Sequence, residues 1–224
     1  MKFLVLSDIH GDTQAIDKLD QQFKDCDGVL FAGDFAKFNE TQTGAPVLEA
    51  LCKKQDTIFA VTGNCDEVEF VAELEQADIS VQKTLVMHEG LAICGSSGGS
   101  KFTGTTPNER EDEELVSDFN IVTETFDGEW NNLIAIMHNP PKDTVCDTIE
   151  GGIHVGSQGL RDFIEKVKPL AVITGHIHEG IGIDKIGETT VINPGALFEG
   201  HYAILEVCKD GDSWKVTSAE LKNL

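Results

Sequence analysis

Positive charge is scarce in this chain of 224 residues. Lysine and arginine total 17 against 39 aspartates and glutamates, a formal net charge of -22. A surface this acidic repels nucleic acid phosphates, and no basic stripe offsets it. Solubility or a salty cytoplasm accounts for such an excess, and bound cations would neutralise part of it. Long hydrophobic runs are missing too. No stretch approaches the ~20 apolar residues that cross a bilayer. The opening residues 1–6 are too short for the apolar core of a secretion signal and run straight into Ser7-Asp8. The six cysteines, at 26, 52, 65, 94, 146 and 208, include no CxxC pair. Most lie in or beside apolar runs, which favours reduced, buried thiols over a disulfide framework. Gly98-Gly99-Ser100-Lys101 lacks the Gly-Lys-Ser/Thr order of a phosphate loop, and residues 95–104 read as a mobile surface loop. There is no low-complexity tract, linker or exact repeat. With 40% apolar and 25% charged residues, the expectation is an ordinary soluble, cytoplasmic protein. It forms one domain over residues 1–224, without membrane or nucleic acid partners.

What the chain does contain is a series of short apolar runs that end alike. Residues 2–7 end in Asp8-Ile9-His10, and 28–32 end in Gly33-Asp34. Residues 57–61 end in Thr62-Gly63-Asn64-Cys65-Asp66. Residues 132–137 end in His138-Asn139-Pro140-Pro141, and 170–174 in Gly175-His176-Ile177-His178. Each reads as a buried strand. Between them, apolar residues at 15, 16, 19 and 23 predict a helix over 13–23, capped by Asp12 or Thr13. Further helices are expected from about 45 to 54, with Pro46 in the first turn, and over 67–76, 109–125 and 157–167, the last capped by Ser157. Hairpins are expected at Glu89-Gly90, Gly187 and Asp210-Gly211. The β-α-β-α-β order at the start predicts a parallel sheet covered on both faces. In such sheets ligands gather outside the carboxyl ends of the strands.

Taken singly, these residues have ordinary explanations. Asp34 makes a turn, Asn64 caps a helix, and a bend carrying two surface histidines explains 175–178 as well as a metal does. Five strand ends together do not arise by chance. Asp8, His10, Asp34, Asn64, His138, His176 and His178 are too many donors for one four-coordinate ion. They suit two ions ~3.5–4 Å apart that share a carboxylate. Nitrogen and oxygen donors without thiolate fit Mn, Fe, Co, Ni or Zn.

Asp8-x-His10, Gly33-Asp34, Gly63-Asn64-x-Asp66, His138 and Gly175-His176-x-His178 resemble the motif set of the calcineurin-like metallophosphoesterases. The resemblance runs from residue 2 to about 197, with five motifs in order, and is greatest to small prokaryotic phosphodiesterases of that superfamily. It implies an α/β fold: a four-layer α/β/β/α sandwich of two mixed sheets flanked by helices, with the metal site at the strand C-terminal ends. It implies two divalent transition-metal ions, the first held by Asp8, His10 and His178, the second by Asn64, His138 and His176, with Asp34 bridging. The implied reaction is attack of a metal-bridging hydroxide on a small phosphoester. One position departs from the pattern. Many members carry histidine after the motif asparagine, where it contacts phosphate and protonates the leaving group; here it is Cys65. A thiol is a poorer cation and a weaker donor than imidazolium. That favours a phosphodiester, with cyclic nucleotides among the candidates. Asn64 and Cys65 are thus the candidate catalytic residues, and His154, in a Gly-rich loop, a candidate for touching substrate. Asp12 and Asp66 are expected to hydrogen-bond nearby loops or ligand histidines. His88, His201 and the Asn193-Pro194-Gly195 turn are expected to be structural. The alternatives are a non-catalytic scaffold on the same fold, against which all seven ligands stand, and a nuclease, against which the charge stands. Homo-oligomerisation is left open.

Overall fold

A computed structural model describes residues 1–211 and 213–224. The first apolar run becomes the central strand Lys2–Leu6. Its side chains alternate, with Phe3 and Val5 entering one apolar layer and Leu4 and Leu6 another. It pairs in parallel with Gly28–Phe31, which pairs in parallel with Ile58–Ala60. On its other side lie His201–Asp210 and then Ser213–Asn223, both antiparallel to their neighbours. The second sheet runs Gly182–Ile186, Thr189–Asn193, Ala171–Ile173, Leu133–Met137, Leu91–Ser96, Val86–His88. Its inner strands are parallel and its two edge strands antiparallel.

Three apolar layers hold these sheets together. Phe3, Val5, Leu30 and Phe59 of the first sheet meet Ile93, Ile134, Ile136, Ile173 and Ile192 of the second. On the outer face of the first sheet, Leu4, Leu6 and Phe31 pack on Ile16, Phe23, Val47, Leu51 and Leu74 from its helices. On the outer face of the second, Ala135, Met137 and Val172 pack on Leu115, Phe119, Leu160 and Phe163. The result is the four-layer α/β/β/α sandwich. The single parallel sheet read from the strand pattern accounts for only part of it. A strand apolar on both faces reports that both are covered, not whether a helix or another sheet covers them.

Several elements differ from their sequence reading. The helix expected over 13–23 is two, Thr13–Asp17 and Asp20–Asp25, and Asp12 caps the first by accepting from Gln14 N and Ala15 N. The helix expected over 109–125 is also two, Asp112–Ser117 and Asn120–Thr125. Glu109–Arg110 leaves it to pair with Gly99–Ser100. Between the halves Asp118 is buried and held by both Arg110 Nη atoms. Residues 95–104 are not a surface loop throughout, because Gly95 to Gly99 are buried. Gly98 N donates to Thr62 O, Gly99 N to Asn108 O and Ser100 N to Asn139 Oδ1. Only the segment from Lys101 onward faces solvent. Among the described residues no helix is long and apolar enough to cross a membrane, and the six cysteines are free thiols.

Candidate metal centre

All seven donors stand where a strand stops and the chain turns. Asp8, His10, Asp34 and His176 turn it with φ of +52°, +47°, +60° and +67°. Residues with a Cβ enter this region at a cost of ~1–2 kcal/mol each, which the surroundings must offset. Backbone bonds supply that support. Asp8 N donates to Gly33 O, His10 N to Asp34 O, and His176 N to Asp8 Oδ2 at 3.1 Å.

The turns bring two donor sets together. In the first, His10 Nε2 lies 3.4 Å from His178 Nε2, 3.7 Å from Asp8 Oδ1 and 3.6 Å from Asp34 Oδ2. His178 Nε2 is 3.4 Å from Asp8 Oδ1. In the second, Asn64 Oδ1 lies 2.8 Å from His138 Nε2 and 2.7 Å from His176 Nδ1. Asp34 belongs to both, since its Oδ1 is 3.5 Å from His138 Nε2.

These atoms need a cation. His10 Nδ1 donates to Ala36 O at 3.0 Å, and His138 Nδ1 to Ala32 O at 2.7 Å. Each bond leaves the ring's lone pair at Nε2, aimed into the cluster. For His138 that lone pair faces the Asn64 carbonyl oxygen, another acceptor. Asp8 Oδ1 is buried without any hydrogen-bond partner, an arrangement costing ~1–3 kcal/mol or more for a charged group. Burial and the negative charge of Asp8 push Asp34 above the carboxylate range. Burial would push Asp8 up as well, but the nearby His178, His138 and His10 imidazoles hold it low. Burial keeps His138 and His176 neutral, His176 down to about 3 with His138 beside it. Neutral imidazoles, carboxylates and an amide oxygen are the donor set of a borderline divalent ion, so the residues present fit such ions.

The supports come from further away. Asp66 is buried and accepts from Gly63 N and Ala36 N, each at 2.8 Å, and from Phe35 N at 3.3 Å. It thereby ties the Asp34 loop to the Asn64 loop. Asn193 Nδ2 donates to Ile177 O at 2.9 Å, bracing the His176–His178 turn. His88 packs edge-on against Phe59, and His201 bonds Asn223. Cys65 N donates to Asp34 Oδ1 at 2.8 Å, and its sulfur, with His10 and Asp34, offers a ligand atom within 4.8 Å of theirs. Burial and the Asp34 charge push this thiol well above its ordinary value, so it is neutral. Phe198 was not legible in the sequence. Its ring stands edge-on to His10 and His178, with centroids 5.2 Å and 5.4 Å away. Leu197 N to Ser7 O and Phe198 N to Asp8 O fasten its turn to the end of the first strand. No spacing marks such a contact, because Phe198 is nearly the whole chain away from His10.

His154 is exposed, and its Nδ1 lies 2.8 Å from Asp147 Oδ1. Its neighbour Val155 lines a cleft of about 300 Å³ that opens beside Asn64 and His176. Asp147 organises this segment: its buried carboxylate accepts from Asp143 N, Thr144 N and Gly156 N as well as bonding His154. Burial would raise its pKa, but His154 and the amides of Thr144 and Gly156 outweigh it and lower it. Asp147→Ala is expected to lower stability at pH 7 by ~2 kcal/mol, the cost of orphaned buried donors. A group with a depressed folded pKa contributes above its unfolded pKa and stops as pH falls through the folded one. The gap between variant and wild type in urea unfolding should therefore narrow below about pH 4.

Comparison with known proteins agrees with this geometry. The model of the calcineurin-like phosphoesterase superfamily domain matches residues 1–210. An uncharacterized protein of Methanocaldococcus jannaschii is 32% identical over 203 residues, 87% of this chain and 88% of its own. A Thermus thermophilus crystal structure superposes with a TM-score of 0.73 at 20% identity, covering 99% of this chain and 98% of the other. A Danio rerio structure described as a dimetal phosphatase superposes with a TM-score of 0.65 at 11% identity, covering 100% and 98%. The two structures show the shared fold, and the family model spans every strand end that carries a donor. With its motifs converging as they do, the chain belongs to the calcineurin-like phosphoesterase superfamily.

Proposed function

We propose that the protein hydrolyses small phosphodiesters with two divalent ions. The observation that carries this reading is the pair of donor sets meeting at Asp34, with Asp8 Oδ1 buried and unpartnered between the histidines. Asp8, His10 and His178 would hold one ion, Asn64, His138 and His176 the other, and Asp34 would bridge. Such ions neutralise phosphate charge and make water nucleophilic at neutral pH. The chain contributes the rest. Ala36 O and Ala32 O fix the tautomers of His10 and His138. Phe198 packs edge-on against His10 and His178. The dimetal description of the Danio rerio protein of this fold supports the two-ion reading.

Preference for a diester rests on Cys65. Its neutral thiol gives a leaving oxygen only a weak hydrogen bond, and gives a doubly charged monoester no cation. A diester carries one charge less and depends less on such a cation. Cyclic nucleotides fall within this class, whereas long nucleic acids meet a surface of net charge -22. The test compares p-nitrophenyl phosphate with bis(p-nitrophenyl) phosphate on protein loaded with Mn²⁺, Ni²⁺ or Zn²⁺. The wild type is expected to favour the diester. Cys65→His should shift the kcat/KM ratio toward the monoester by on the order of ten-fold or more, the scale of one general acid. An unchanged ratio removes Cys65 from the argument. No hydrolysis of either ester with any metal leaves a scaffold as the better reading.

A further inference from the structure

Beside the second donor set the cleft is built unlike the rest of this acidic surface. Its floor is Asn64 and His176, and its walls include Phe102, Ile149, Val155 and Ile177. Phe102 is 92% exposed. Together with Ile149, Val155 and Ile177 it gives the cleft an apolar lining that a ligand can cover. It is also held in place. Glu109 accepts from Phe102 N at 2.8 Å, Gly104 N at 2.9 Å, Thr105 N at 3.0 Å and Thr106 N at 3.2 Å. One carboxylate thus gathers the backbone of the whole loop. Burial opposes its ionisation, but the amides of Phe102, Gly104 and Thr106 together outweigh it and hold its pKa down at about 2, so the loop stays gathered at any ordinary pH. The facing wall is anchored separately, through the pairing of Ile149 with Ile153 and the bonds of Asp147 to Gly156 and His154.

We propose that this cleft is a subsite for an aromatic or heteroaromatic ester group, with Phe102 as its outer wall and Glu109 as the residue that positions it. The inference rests on the phosphoesterase reading, since it is Asn64 and His176 that place a phosphorus on the floor of the cleft. A group attached to that phosphorus enters an apolar slot at once. A flat ring gains more there than an aliphatic group of similar size. It covers the Phe102 ring, and ring-on-ring contact adds attraction beyond the area buried. Glu109 also lines the cleft, but both its carboxylate oxygens are taken up by loop amides, so its part is to position the loop.

Phenylphosphonate and methylphosphonate share a headgroup and differ only in the group that would enter the cleft. Calorimetric titration of each into Mn²⁺-loaded wild type, Phe102→Ala and Glu109→Gln protein reads the subsite directly. The wild type should bind the phenyl compound on the order of ten-fold tighter, as burial of one ring implies. In Phe102→Ala the ratio should fall toward one while the methylphosphonate Kd stays unchanged. Glu109→Gln replaces a four-amide acceptor by a single carbonyl and should lower the ratio part of the way. Phe102 makes no core contact, so its variant folds, and an unshifted melting curve confirms that. A ratio unaltered by Phe102→Ala, or an equal weakening of both compounds, overturns the subsite. Hydrolysis of bis(p-nitrophenyl) phosphate by the wild type is scored separately: its presence with an unaltered ratio sinks the subsite alone, and its absence sinks the phosphoesterase reading.

Discussion

Asp34→Asn is expected to abolish metal-dependent hydrolysis while leaving the protein folded. Asp34 has oxygens facing both donor sets, Oδ2 toward His10 and Oδ1 toward His138. An amide can offer one neutral oxygen but no charge. Loss of an outer partner of a metal site costs 10–100-fold, and loss of a shared ligand should exceed ~100-fold in kcat/KM. The sign reverses for stability. Asp8 and Asp34 are both buried and lie in one cluster with His138, and without a cation two such carboxylates repel. The metal-free variant should therefore unfold at equal or higher urea concentration than metal-free wild type, which separates lost chemistry from lost fold. His178→Ala and His176→Ala complete the test. The first should weaken one site and the second the other, so metal analysis should find close to one Mn²⁺ per chain in each. Full activity of Asp34→Asn at saturating Mn²⁺ would falsify the shared-carboxylate arrangement.

Gly175→Ala is expected to damage the centre and the fold together. A Cβ on Gly175 would sit 1.8 Å from Ser7 Oγ and 2.6 Å from Asp8 Oδ2. The strand end carrying His176 and His178 thus rests directly on the strand end carrying Asp8, with no room for a methyl group. At Gly63 a Cβ would meet Asp34 Oδ1 at 2.0 Å and Asp34 N at 2.4 Å. At Gly63 the obstacles are a ligand oxygen and backbone; at Gly175 they are a ligand oxygen and the fully buried Ser7 side chain, whose Cβ would also lie 2.9 Å away. Forced overpacking costs ~1–3 kcal/mol, occasionally more. Here relief can come only from pushing the ligands apart, so both variants should lose Mn²⁺ affinity as well as stability. A Gly175→Ala protein with wild-type melting temperature and metal content would show that the two strand ends do not touch as described.

The contrast between these glycines and Phe198 shows how far local pattern reaches. Gly63 and Gly175 precede the ligands Asn64 and His176, so a motif reader finds them without knowing what they touch. Phe198 and Glu109 carry no such tag. Phe198 reaches His10 and His178 because the turn Leu197–Glu199 is fastened to the end of the first strand. Apolar spacing in the sequence places Glu109 in a helix. It lies outside because a Glu111–Glu114 capping box starts the helix only at Asp112. The buried half of 95–104 looks like a surface loop in the sequence because glycine and serine are as common in a loop as in a tightly packed crossing. Only the neighbours, Thr62 O, Asn108 O and Asn139 Oδ1, tell them apart.

The chain's own local pattern sets the strands and the residues that stand at their ends. Both follow from local chemistry: apolar runs bury as strands, and a polar residue after the run stops the strand at the layer's edge. It also determined the class of ligand, because histidine, aspartate and asparagine without thiolate select the ion type. The tertiary structure alone decided that there are two sheets rather than one, that His176 faces Asn64 while His178 faces Asp8, and that Asp34 stands between them. Those facts depend on the separation of residues as distant in the chain as 8 and 178. That separation is set by how two sheets pack across the Phe3–Ile136 layer, which no local pattern encodes.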